Sequence, residues 1–405
     1  MLQSSSNLSG AVANQSGAME ADTISKHGRN SKSQTSRGNI LKMFFIFVIF
    51  SLILSCTQRS SKPSTSNETN TSDVTSNINE KLTTEVKSNP VIVDNEAKLL
   101  ETIKKGDKSI IIPKGVTIRL NSTILLNREI TIEGENNAVI EGNGKKRLFY
   151  VLPDGSLTIK NLTLVNGKAE EDDEGGFGGA IINIGWLIIN DCVLKNNSAK
   201  YGGAIFNGKK DKPGGYMIIE NTVLTANSST IGGGAIFNAS SRNLAVISHS
   251  SFENNTSYKG GAIYNISSLL TMSATLFDGN KAYDGGAIYR SDGILLIEGL
   301  SDKKSLFKDN LADNCGGAIF NSKGDLYLLR GYVLTGNSGR GGAVFNEESS
   351  SVYLLETVIK ANKSDDVYNQ GSGKVIMEKS TVEIKSGNNF SQGIVDLSRF
   401  TAPQK

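Results

Sequence analysis

The sequence predicts an all-β solenoid, a parallel β-helix with a short N-terminal capping helix, and three observations predict it. A hexamer of two glycines, Ala, an aliphatic residue, usually an aromatic and usually Asn starts at Gly178, Gly202, Gly233, Gly260, Gly285, Gly316 and Gly341. A second motif, a bulky apolar residue with Asn three positions on, keeps step with it at Leu194/Asn197, Leu224/Asn227, Phe252/Asn255, Phe277/Asn280, Phe307/Asn310, Leu334/Asn337 and Ile359/Asn362. The spacings of 24 to 31 residues are those at which one supersecondary unit stacks on the next and buries a face it could not bury alone.

Composition agrees. The 405 residues would fill two or three globular domains, but a stacked repeat makes one elongated domain sufficient. Glycine is abundant at 43 and proline scarce at 6, with the glycines at fixed repeat positions, which excludes collagen and disordered Gly/Pro tracts. Beyond Cys56 the basic and acidic residues balance at 38 each, so no basic stripe is present to neutralise phosphates and nucleic acid is not expected as a partner.

Taken in order, residues 1–39 are polar and without apolar periodicity. Lys42 then precedes the apolar run from Met43 to Ser55, which is short for a membrane span and fits the h-region of a secretory signal; a transmembrane anchor is the alternative. Ile53, Leu54, Ser55, Cys56 resemble the lipobox of bacterial lipoproteins, which implies that Cys56 is acylated and that residues 1–56 are leader and signal peptide. Residues 57–90, rich in Ser, Thr, Asn, Lys and Glu, read as a disordered tether.

From about residue 91 to 400 the β-helix is expected, with 401–405 as a tail. Asp94 or Asn95 caps a helix whose apolar face is Ala97, Leu99, Leu100 and Ile103 and whose stop is Gly106; it would cover the unpaired backbone of the first coil. Strands follow at 109–112, 116–120, 124–126, 129–133, 138–141, 148–152 and 156–164, punctuated by Gly, Asn or Pro. Ile130 to Gly134 and Leu157 to Leu162 resemble the opening coils of pectin-lyase-like right-handed β-helices, which makes the expected fold a right-handed parallel β-helix. The repeats span about 178–369, and three short strands per coil is the natural parsing of their length. A leucine-rich repeat is the competing reading, but no steady leucine ladder is present.

Within the hexamer the aliphatic column from Ile181 to Val367 is never polar and should face the core. Strand alternation then turns the next column outward, making Phe206, Phe237, Tyr264, Tyr289, Phe320 and Phe345 an aromatic ladder; inward aromatics are the alternative. The Asn column, Asn265 among it, is broken at Arg290, and such stacked asparagines usually satisfy turn backbone. Paired glycines such as Gly260/Gly261 and Gly316/Gly317 permit positive φ and close approach of adjacent coils.

Catalytic chemistry is hard to assemble from these residues. His249 is the only histidine after Cys56, so a Ser or Cys triad lacks a base and a His metal site lacks ligands. The acidic run Glu170 to Glu174 is a weak Ca2+ candidate and reads first as a solvated loop; no cofactor or metal is expected. Cys192 and Cys315 fall about four coils, or about 19 Å, apart, beyond disulfide reach, and are expected as packed thiols.

The alternation of Gly-Gly-Ala-Ile with Phe-x-x-Asn, complete at Phe252/Asn255 with Gly260 to Asn265 and at Phe307/Asn310 with Gly316 to Asn321, resembles the polymorphic outer membrane protein repeats of chlamydiae. That resemblance implies a β-helical passenger on the cell surface that adheres to host cells. Members of the family carry a C-terminal translocating barrel, whereas this sequence reaches Lys405 soon after the last coil, so a lipid on Cys56 would serve as the anchor. The expected protein is a monomeric lipoprotein of the bacterial outer membrane surface, binding a host-cell protein or glycan through the motif residues Phe206, Phe237, Phe252, Asn255, Gly260, Gly261, Tyr264, Asn265, Phe277, Asn280, Tyr289, Phe307, Asn310, Gly316, Gly317, Phe320 and Phe345. A polysaccharide lyase or hydrolase on the same scaffold is the alternative, since fold does not separate the two.

Overall fold

The computed structural model describes residues 89–169, 175–208, 215–239, 244–300, 304–330, 332–382 and 394–396. The expected leader, Cys56, the tether and the acidic run Glu170 to Glu174 lie outside them. The described residues form a parallel β-solenoid whose first strand, Val91–Ile92, is followed by one helix, α1 (Glu96–Lys105).

Asn95 starts α1: its backbone is extended and its side chain accepts from the Lys98 amide at 2.9 Å. Gly106 ends it in the left-handed region at φ 92°. The expected apolar face is corrected in part. Leu99 and Thr102 are buried and Ile103 packs against the core, while Ala97 and Leu100 stay exposed, because only the 99/102/103 spacing lies on one side of the helix. Glu96 then ties the helix to the first coil by accepting from the Asn121 backbone and side-chain amides at 2.7 and 2.6 Å.

The coil beginning at Gly202 shows the repeating plan. A short strand, Ile205–Asn207, follows the glycine pair; a longer one, Tyr216–Glu220, continues the same sheet; a corner at Asn221 leads to Val223–Thr225 in a second sheet. The corner residues adopt positive φ, 48° at Asn221 and 51° at Ala226, and that is why Asn, Asp and Gly recur there. The same corner, at Asn161, splits the expected strand 156–164 into Ser156–Lys160 and Thr163–Val165.

A fourth strand was not expected. Residues between the Asn of Phe-x-x-Asn and the next glycine pair form Ser198–Tyr201, Ser228–Gly232, Lys281–Asp284, Leu311–Cys315 and Ser338–Arg340, paired in parallel and bridged through Thr256 and Lys259. This outer arm forms small sheets of its own, and it decides what the repeat exposes.

Stacking is in register: Ile181 pairs with Ile205, then Ile236, Ile263, Ile288, Ile319, Val344 and Val367, each against its equivalent in the next coil. All are buried in one continuous core running the length of the solenoid, together with the alanines that precede them in the coils from Ala180 to Ala343. The glycine pair divides its labour. Gly202 has φ +64°, whereas a Cβ on Gly203 would sit 2.1 Å from the Gly234 carbonyl oxygen of the next coil.

Candidate binding surface

The Phe-x-x-Asn motif is interior on both counts. Phe252, Phe277 and Phe307 are fully buried in the core, with parallel rings 4.8 and 4.5 Å apart. Asn255, Asn280 and Asn310 are equally buried. Each asparagine oxygen accepts from the preceding coil twice: Asn280 Oδ1 takes the Asn255 backbone amide and the Asn255 side-chain amide, both at 3.0 Å. The Asn280 amide in turn donates to the Phe252 carbonyl at 2.9 Å and to Asn310 Oδ1 at 2.9 Å. These residues cannot touch a ligand, and their positions are set by the demand that buried corner amides be paired.

A second ladder runs through the hexamer. Asn183, Asn207 and Asn238 each donate to the oxygen of the next at 2.7 to 2.8 Å, ending on Asn265. It stops there because Arg290 occupies the next place. Arg290 is fully buried, donating to Asn321 Oδ1 at 2.6 Å and to the Gly293 carbonyl, and its Nε has no partner among the described residues. Beyond it the ladder resumes, Asn321 to Asn346 to Asn369.

The aromatic column corrects the expectation of an exposed ladder. It does point away from the central core, as alternation requires, but Phe206, Phe237, Tyr289, Phe320 and Phe345 are 3 to 8 % exposed and form two clusters of their own. The cause is the outer arm. Its column of residues just before the glycine pairs runs Phe177, Tyr201, Gly232, Lys259, Asp284, Cys315, Arg340 in register. Four of its members roof the aromatic ring one coil further on. Phe177 meets Phe206 at 4.3 Å, Tyr201 meets Phe237 edge-on at 5.2 Å, Lys259 Nζ lies 4.7 Å from the Tyr289 centroid, and Arg340 lies 4.3 Å from that of Tyr368. Gly232 is small for the same reason, since a Cβ there would fall 2.2 Å from the Tyr264 ring. Burial raises the pKa of both Tyr264 and Tyr289, so their hydroxyls stay protonated.

The glycines among the candidate residues are structural. Gly260 and Gly316 hold φ of +63° and +67°, and a Cβ on Gly261 or Gly317 would lie 2.1 or 2.2 Å from the glycine carbonyl of the next coil.

What faces solvent is the opposite side of the arm, which the sequence reading missed. Tyr258 and Tyr283 are 51 % and 43 % exposed, stacked on one another with ring centroids 5.1 Å apart. Both stand two residues before a glycine pair, a shared position legible in the sequence once the arm is known. They border a cavity of about 350 Å3 lined also by Ser229, Ser257, Lys281 and Asp313.

Four segments of the chain, residues 191–208, 249–266, 274–289 and 304–322, match the Chlamydia polymorphic membrane protein repeat. Each runs from the second-sheet strand with its apolar-x-x-Asn motif through the arm to the following Gly-Gly-Ala strand, so the matched segment is that part of the coil which carries both motifs. The chain carries this repeat, which points to a bacterial surface or outer-membrane protein. No curated protein matches the chain. Among solved structures, PfbA, a surface adhesin of Streptococcus pneumoniae, is similar at 12 % identity and a TM-score of 0.40, over 69 % of this chain and 81 % of that one.

Proposed function

From the Chlamydia polymorphic membrane protein repeat carried on a parallel β-solenoid, we propose that this protein is a surface adhesin that binds host-cell receptors or glycans and is held to the outer membrane by a lipid on Cys56. The observation that carries the reading is the repeat itself, matched in four segments. The anchor rests on the apolar run ending in Ile53, Leu54, Ser55, Cys56.

The architecture supports binding through its outward columns. Every recurrent motif residue is committed to the core, to an asparagine ladder or to the roofed aromatic stack. The outward positions are free to differ from coil to coil, and in the arm they do: the residue two before the glycine pair is Tyr258, Tyr283 and Asn314 in successive coils. A rigid parallel scaffold presents such positions at the strand spacing of about 4.8 Å, so several weak contacts add into avidity against a repetitive ligand.

Attachment of the labelled full chain to host cells tests the adhesin reading, and absence of saturable binding would overturn it. Metabolic labelling with a fatty acid should mark the protein and fail in Cys56→Ala. Turnover of a polyuronate by the purified protein, abolished by changing an Asp, would replace the binding reading with the lyase or hydrolase one.

A further inference from the structure

We propose that the cleft beside Tyr258 and Tyr283 is a glycan subsite that takes a neutral pyranose. This deepens the adhesin reading by naming a site and a ligand class.

The two phenol rings are parallel within 7° and stacked along the solenoid axis, so each covers one face of its neighbour and leaves the rest in water. Exposed tyrosines on a hydrogen-bonded scaffold offer large amphipathic area at low entropic cost: a ring face for the C–H side of a sugar and a hydroxyl for its rim. Tyr283 lies in the strand Lys281–Asp284 and Tyr258 at the bend between the bridging residues Thr256 and Lys259, and the backbone that carries them is hydrogen-bonded to the coils before and after: Lys259 N donates to the Ile231 carbonyl at 3.1 Å and Tyr283 N donates to the Tyr258 carbonyl at 3.0 Å. The platform is therefore built before a ligand arrives, and among the described residues the arm backbone there is paired with the coils on both sides, leaving no strand edge for a peptide to extend.

The polar groups of the cleft match a polyol. Ser229 Oγ and Ser257 Oγ lie 2.8 Å apart on its floor, where one hydroxyl donates to the other and the second keeps its hydrogen for a ligand. Lys281 Nζ and Asp313 Oδ1 stand 3.5 Å apart in its lining, both more than half exposed, giving a donor and an acceptor side by side for the hydroxyls of a sugar. Their charges cancel. The site has no surplus cation to select a sialate, sulfate or phosphate, and at about 350 Å3 it is open and lacks the enclosed apolar walls that hold a hydrophobic side chain.

The test is saturation-transfer NMR of the full chain with three neutral probes, cellotetraose, chitotetraose and maltotetraose, and one anionic probe, 3′-sialyllactose. The expected result is transfer to the ring protons of at least one neutral probe. Calorimetric affinity should fall about tenfold or more in Tyr258→Ala/Tyr283→Ala and change less than about threefold in Tyr258→Phe/Tyr283→Phe, which keeps the stacking surface. Thermal melts of the exposed-site variants should match the wild type. No transfer to any neutral probe, preference for the sialylated one, or undiminished affinity in the double Ala variant would each overturn the proposal. Cell attachment measured alongside separates the two readings: attachment that persists in the double Ala variant while tetrasaccharide binding is lost keeps the subsite and moves adhesion elsewhere on the solenoid, and a wild type that binds sugar but no cell removes the adhesin reading alone.

Discussion

The side-chain amide of Asn362 donates to the Asp366 carboxylate at 2.7 Å, and that bond closes the asparagine ladder of the second sheet. Upstream, every ladder amide finds the oxygen of an asparagine one coil on. Among the described residues no further asparagine follows Asn362 in the column, and the chain supplies an acid instead, at the place that Ala343 holds one coil earlier.

Asp366→Ala would therefore restore the repeat's own residue and still weaken the protein. It should cost about 1–3 kcal/mol, the penalty for a buried amide left without its acceptor. Asp366→Asn should retain most of the stability. Urea melts and amide exchange of the coils after Ser338 would show the loss localised to the C-terminal end.

Arg290 interrupts the other ladder, and its replacement by the consensus residue should stabilise the fold. Burial lowers the guanidinium pKa to about 10, against the opposing pull of Asp325 and Asp292. A base with a depressed folded pKa is penalised while charged, so the cost is present at neutral pH and lifts only as pH rises through about 10. Arg290→Asn gives Asn265 and Asn321 their amide partner and should gain about 1 kcal/mol, or about 2–4 °C in Tm. Arg290→Ala strands the Asn321 oxygen and should lower it.

The roofed aromatic stack predicts coupling between coils. Phe237→Ala should destabilise by about 3–5 kcal/mol, as for Phe removed from a core. Tyr201→Ala, which uncovers Phe237 without leaving the arm, should cost less, and the double variant should cost less than the sum because the two rings are in contact at 5.2 Å. Additive losses would mean that the arm does not rest on the aromatic column.

Both described cysteines should be inert in the folded protein. Burial pushes the Cys192 thiol up to about 12 and the Cys315 thiol up to about 11, the latter with help from Asp284. Iodoacetamide at pH 8 should leave the peptides carrying them unmodified until denaturant is added. Because the folded values exceed the ordinary 9.0, the two thiols favour folding fully below pH 9 and lose that contribution as pH rises toward 11 and 12.

Much of this fold is decided by local sequence. A hexamer that recurs in register forces like residues to stack, so Ile181 to Val367 could only be a core column; the left-handed corners favour Asn, Asp and Gly, though Ala226, His249 and Arg330 also stand at such corners, and the close coil contacts demand Gly. The helix α1 was likewise written in Asn95 and Gly106. Tertiary structure decided which outward columns meet water. The period places Tyr201 and Phe237 36 residues apart in the chain, and only the folding of the arm back over the following coil brings them together. Register shifts in that arm, between Ala199 and Tyr201 and between Ala282 and Asp284, set which neighbour turns inward as roof and which turns outward. Alternation along a single strand sees one face or the other, and it could not foresee that a second layer would bury the aromatics while leaving Tyr258 and Tyr283 in solvent.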